Sequence, residues 1–123
     1  MEERQAQIEA LQMVVEYIKK LAPAFHDIAV ELSGDKQDDT MDLLNQAIEG
    51  LNMVIEVFNA TYGLLNEKEE LFQKDVIEDK IGAMNKAISS RDDKEIATAI
   101  EEGILPFITA FAQIADVFLK NNA

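Results

Sequence analysis

Two segments of this chain are near copies of each other: residues 8–18 read IEALQMVVEYI and, forty positions later, residues 48–58 read IEGLNMVIEVF. Their apolar residues recur at steps of three and four, the spacing of one helical face, and the alternation of a half-buried strand is missing throughout the chain. The pair therefore predicts one amphipathic helix design used twice. Such a helix buries its stripe only against neighbours, so the chain is expected to form an all-α bundle.

With Ile8 as heptad position a, the seam residues are Ile8, Val15, Ala22 and Ala29 at a, and Leu11, Ile18, Phe25 and Leu32 at d. The forty-residue offset carries the lettering to Met41, Ile48, Ile55 and Tyr62 at a, and to Leu44, Leu51, Phe58 and Leu65 at d. Positions g (Val14, Leu21, Ile28; Ala47, Val54) and c (Ala10, Tyr17, Ala24; Leu43, Val57, Leu64) widen the stripe, and Met13 and Met53 lie at f, beyond c. This is wider than one seam requires, so each helix is expected to meet partners on two sides, within the bundle or outside it.

Position e is polar in a regular way, with Asn45, Asn52, Asn59 and Asn66 in the second copy, and amides beside a seam can form a ladder read by another helix. The alternatives are a solvated edge and, for Asn66, a helix cap. Glu9, Glu16, Glu49 and Glu56 at b point away from the seam, where no pocket raises a carboxylate pKa for acid or base work.

Turn chemistry at SGDKQDDT (33–40), YGLLN (62–66) and SSRDD (89–93) divides the chain into four helices. The first is expected from about Glu3 to Leu32 and the second from about Thr40 to Tyr62. The third would start behind Asn66 with Glu69 closing a capping box, and the fourth behind Asp92 with Glu95 in the same role. Pro23 and Pro106 fall inside helical patterns, so helices one and four should kink there, and helix one could divide in two. Short connections favour an up-and-down four-helix bundle in a single domain, residues 1–123. Helix four also echoes the repeat: AIEEGILPFITAF (99–111) aligns with AIEGLNMVIEVF (47–58) once one residue is inserted.

The chain carries 24 acidic and 11 basic residues, for a net charge of −13. That field disfavours nucleic acid and anionic membranes and favours a basic partner, or serves solubility alone. There is no cysteine, so disulfide and thiolate chemistry are excluded. MEERQ is not the start of a secretory signal, and a cytoplasmic setting is expected. The apolar run 103–119 contains Pro106, Thr109, Gln113 and Asp116 and reads as a buried helix.

Catalytic and metal motifs do not emerge. A di-iron bundle needs inward carboxylates and two Glu-x-x-His pairs, and the lone His26 has Pro23 three residues before it. DKQDDTMD (35–42) lacks the spacing, central glycine and closing glutamate of a calcium loop. No catalytic residue, metal ligand or cofactor is assigned, and an enzyme is not expected.

The phrases IEALQMVVEYIKKLAP and AIEGLNMVIEVF resemble segments of an uncharacterised family of small acidic helical-bundle proteins from Gram-positive bacteria. The resemblance covers mainly the first half of the chain and implies a bundle without implying an activity. Size, charge and helicity are similar to those of flagellar and secretion export chaperones, and immunity proteins share the acidity. The expected function is a protein-protein interaction module for a helical or basic partner, possible as a homodimer, with Met13, Tyr17, Met53, Val57, Phe107, Phe111 and Phe118 as candidate interface and Asn45, Asn52 and Asn59 as candidate polar ladder. The alternative is a carrier of a small apolar ligand, in a cavity between kinked helices one and four lined by Phe25, Phe107 and Phe111.

Overall fold

A computed structural model describes residues 2–67 and 73–121. The described residues form four helices and no strand: α1 (Glu2–Gly34), α2 (Thr40–Leu65), α3 (Lys74–Ser90) and α4 (Asp93–Asn121). The chain is thus an all-α bundle.

α1 and α2 run antiparallel. The Gln7 side-chain amide donates to the Ala60 carbonyl at 2.8 Å near one end of the hairpin, and the α1–α2 turn closes the other. The turn is pinned by Thr40, whose hydroxyl accepts from the Gln37 N–H at 2.8 Å and donates to the Glu31 carboxylate at 2.6 Å. This hydroxyl is fully buried, so its two bonds offset the desolvation that a lone buried hydroxyl would suffer.

α4 packs antiparallel on the other side of α1. The Arg4 guanidinium stands 5.9 Å over the Phe118 ring at one end, and Lys36 meets Asp93 at 3.1 Å at the other. α2 and α4 touch across the core through aromatic edges: the Phe58 ring lies 5.1 Å from Phe107 and 5.3 Å from Phe111, both edge to face. Edge-to-face packing places the positive ring rim on the negative face, and Phe58 makes it twice. α3 leans on the first half of α4 and is held by fewer apolar anchors, burying Ile77, Met84 and Ala87 where α1 buries a side chain at every turn from Leu11 to Leu32.

The heptad reading needs one change. All eight d residues of α1 and α2 are buried, and so are Val14, Leu21, Ile28, Ala47 and Val54 at g, whereas Met41 is exposed and Ile48, Ile55 and Tyr62 at a are half-buried. In α2 the core is a d/g stripe, because the first two helices use their c sides for each other and α2 turns its a side towards the more loosely held α3, whereas α1 also buries Val15 and Ala29 at a.

Pro23 lies inside an unbroken α1, so this helix does not divide in two. α2 continues through Gly63 to Leu65, since Leu64 and Leu65 are buried and continuing the helix carries them into the core. Asn66 accordingly closes α2: its side-chain amide donates to the Tyr62 carbonyl at 2.9 Å. It does not cap α3, which begins at Lys74 behind an extended Gln73, and Glu69 lies outside the described residues. At the α4 start, Asp92 accepts from the backbone N–H groups of Lys94 and Glu95 at 2.9 and 3.2 Å. The Asp92 N–H donates to Ser90 Oγ, so a serine takes the reciprocal role expected of Glu95.

α4 contains a π-helical turn, Ile100–Ile104, with the Leu105 N–H bonded to the Ile100 carbonyl. Its sequence, IEEGI, holds the one residue that the alignment with IEGL in α2 requires as an insertion. A single extra residue in a helix is absorbed as such a widened turn, after which the stripe resumes its direction. Ile96, Ile104 and Phe111 therefore occupy in α4 the buried places of Leu44, Leu51 and Phe58 in α2. Pro106 follows directly, in the first turn after the widened one.

Candidate partner-binding face

The residues singled out as an interface divide when the helices assemble. Phe107 and Phe111 are exposed by 1% and 0%, so they belong to the core. Phe111 stacks nearly parallel to Phe107 at 6.2 Å, and Phe58 closes on both. Phe25, Phe107 and Phe111, the expected lining of a carrier's cavity, are all buried in the core cluster. Val57 is buried as well, at the c position where α2 meets α1. Phe118 is half-buried at the far end of α4, beside Arg4.

Met13, Tyr17 and Met53 are brought together. The Tyr17 ring crosses from α1 onto Gly50 of α2, with its Cζ 3.0 Å from where a β-carbon would stand. Gln7 with Ala60 and Tyr17 with Gly50 define one antiparallel register, and along it Met13 stands level with Val54 and Met53 level with Val14. Met13 is 53% exposed and Met53 half-buried, so the two f-position methionines edge the same outward face of the hairpin.

That face continues into a groove of about 400 Å³ between α1 and α2. Its floor is Tyr17, Leu21, Ala24, Ile28, Leu43 and Ala47, all c or g residues, and its rim carries Lys20, Asp27, Glu31 and Gln46. Leu43 is 38% exposed, a member of the face that the heptad lettering had placed at c without marking it as interface. The signal was present, since Leu43 and Tyr17 hold the same letter on facing helices. Along the outer side of both helices run Glu9, Glu16, Asp42, Glu49 and Glu56, every one exposed.

Asn45, Asn52 and Asn59 are exposed and make no side-chain hydrogen bond among the described residues. They follow the other edge of α2, where Asn59 borders a groove of about 390 Å³ towards α3 together with Ile55, Lys74 and Ile81. The ladder and the methionines thus lie on different sides of α2.

A larger groove, about 740 Å³, opens between α3 and α4. Lys80, Lys86 and Lys94 stand there among Asp79, Asp92, Glu95 and Glu102 over a floor of alanines and Val76, so charges of both signs are mixed. Size alone does not mark it as the binding face, because mixed charges and small side chains define no class of partner.

A family profile described as Domain of unknown function (DUF8042) matches residues 9–114, a span that includes the hairpin, its groove and the π-helical turn. No curated protein and no solved structure matches the chain.

Proposed function

We propose that this chain, which belongs to the DUF8042 domain family, is a non-enzymatic interaction module that binds a helical or basic segment of a partner protein, in the manner of an adaptor, an export chaperone or an immunity protein. The observation that carries this reading is the position of Met13, 53% exposed beside Tyr17 and Met53, which pack against the core with part of each side chain left outside it. Methionine is unbranched and polarizable, and it adapts its shape to an incoming apolar surface. Apolar contact supplies affinity, while the net charge of −13 steers cationic partners and repels nucleic acid and anionic lipid.

Calorimetric titration with a cationic amphipathic helical peptide, and with a scrambled peptide of the same composition, tests the proposal. The expected result is micromolar binding of the first, at least about tenfold weaker binding of the second, and loss of affinity with added salt. Absence of binding by either peptide overturns it.

A further inference from the structure

Resting on that reading, we infer that the outer α1–α2 groove is the docking site, and that its occupant is a single amphipathic helix with lysine or arginine flanking its apolar stripe. From Tyr17 through Leu21 and Ala24 to Ile28 the apolar lining extends eleven residues along α1, or about 16 Å of helix, and Met13 lies one turn beyond Tyr17. That length accepts side chains at i, i+4, i+7 and i+11 of one partner helix, the spacing by which a helix seats in a groove. Leu43, level with Ala24 in this register, faces the middle of this stripe, and Met13 and Met53 lie beyond its Tyr17 end.

Charge selects the occupant. Glu9, Glu16, Glu49 and Glu56 stand exposed around the methionine end, and Asp27 and Asp42 lie towards the other. Lys20 stands on the groove rim with Asp27 and Glu31, and Lys19 is paired with Glu16 at 3.0 Å. An acidic or neutral helix, or the same acidic face of a second copy, would bring like charge or unpaired carboxylates to this edge. A helix with cationic flanks instead neutralises the row while its apolar stripe covers Met13, Tyr17 and Leu43. The α3–α4 groove sets three lysines among its four carboxylates, and those lysines would oppose the same ligand.

The test uses the full chain and a synthetic leucine–lysine amphipathic peptide, with Met13→Gln and Leu43→Gln in the groove and Val76→Gln and Val117→Gln at exposed apolar sites outside it. Circular dichroism melts identify variants that remain folded. The expected result is about tenfold weaker peptide binding in each groove variant and unchanged binding in the two controls. Glu49→Gln combined with Glu56→Gln should flatten the salt dependence. Binding that is indifferent to Met13 and Leu43, or lost in Val76→Gln, overturns the site while leaving the interaction-module reading intact. Failure of the wild-type chain to bind the peptide overturns both. Wild-type dimers in light scattering that Met13→Gln separates would assign the groove to a second copy and likewise overturn the inference.

Discussion

The phenol of Tyr17 lies over Gly50, in the space a β-carbon would fill, and Leu21 Cδ1 stands 3.2 Å from the same point. Gly50 is the counterpart of Ala10 in the other copy of the repeat, so the second copy lacks a β-carbon where the Tyr17 ring of the first helix lies. Alanine at position 50 should improve helix propensity by about 1 kcal/mol but overpack the crossing by about 1–3 kcal/mol. Urea denaturation should show Gly50→Ala destabilising in the wild-type background and stabilising when Tyr17 is already Ala. An unchanged sign would mean that Tyr17 is not what requires glycine there.

Arg91 ends α3 in the left-handed region, with φ 59° and ψ 21°. Its N–H still caps the helix by donating to the Ile88 carbonyl at 3.1 Å, so the conformation is needed and the side chain is not. Arg91→Gly should therefore stabilise the fold by about 1 kcal/mol, and raise the melting temperature by about 4 °C. Arg91→Val should do the reverse, because a β-branched residue resists positive φ.

The π-helical turn of α4 makes a deletion testable. Removing Glu102 should convert Ile100–Ile104 into a regular turn and leave the following stripe facing the core, but Pro106 would then sit in an ordinary helix interior at a cost of about 3 kcal/mol. The deletion combined with Pro106→Ala should recover most of that loss. Equal destabilisation with and without the proline would show that the turn has another purpose.

Core and surface aromatics and methionines should separate cleanly under truncation. Phe58→Ala and Phe111→Ala, which open the edge-to-face cluster, should each cost about 3–5 kcal/mol in chemical denaturation. Met13→Ala should stay within about 0.5 kcal/mol of wild type, as a 53% exposed residue with room to lose. A large loss at Met13 would place it in the core and remove the basis of the proposed binding face.

Much of the bundle was legible from the repeat. The d residues, the Asp92 cap and the four-helix count follow from periodicity and turn chemistry, which act over one or two helical turns. The third helix start and the end of α2 were not legible, because Gly63 and Asn66 resemble stop signals locally while burial of Leu64 and Leu65 carries the helix past them. The candidate interface was half legible for a related reason. Heptad letters place Met13 and Met53 off the seam, but they give every helix-four aromatic the same standing, whether it meets Phe58 or solvent.

The amino-acid pattern alone determined that the chain is helical, that two of its helices share one design, and that a fourth carries an extra residue, since each follows from spacing along the chain. Tertiary structure decided which flank of the wide apolar stripe each neighbour covers. The choice of d/g over a/d in α2, the burial of Val57, Phe107 and Phe111, and the outward face left to Met13, Tyr17, Leu43 and Met53 all arise from how the helices lie against one another. Period fixes the angle of a side chain about its own helix axis; only the packed arrangement of four axes settles what stands opposite it.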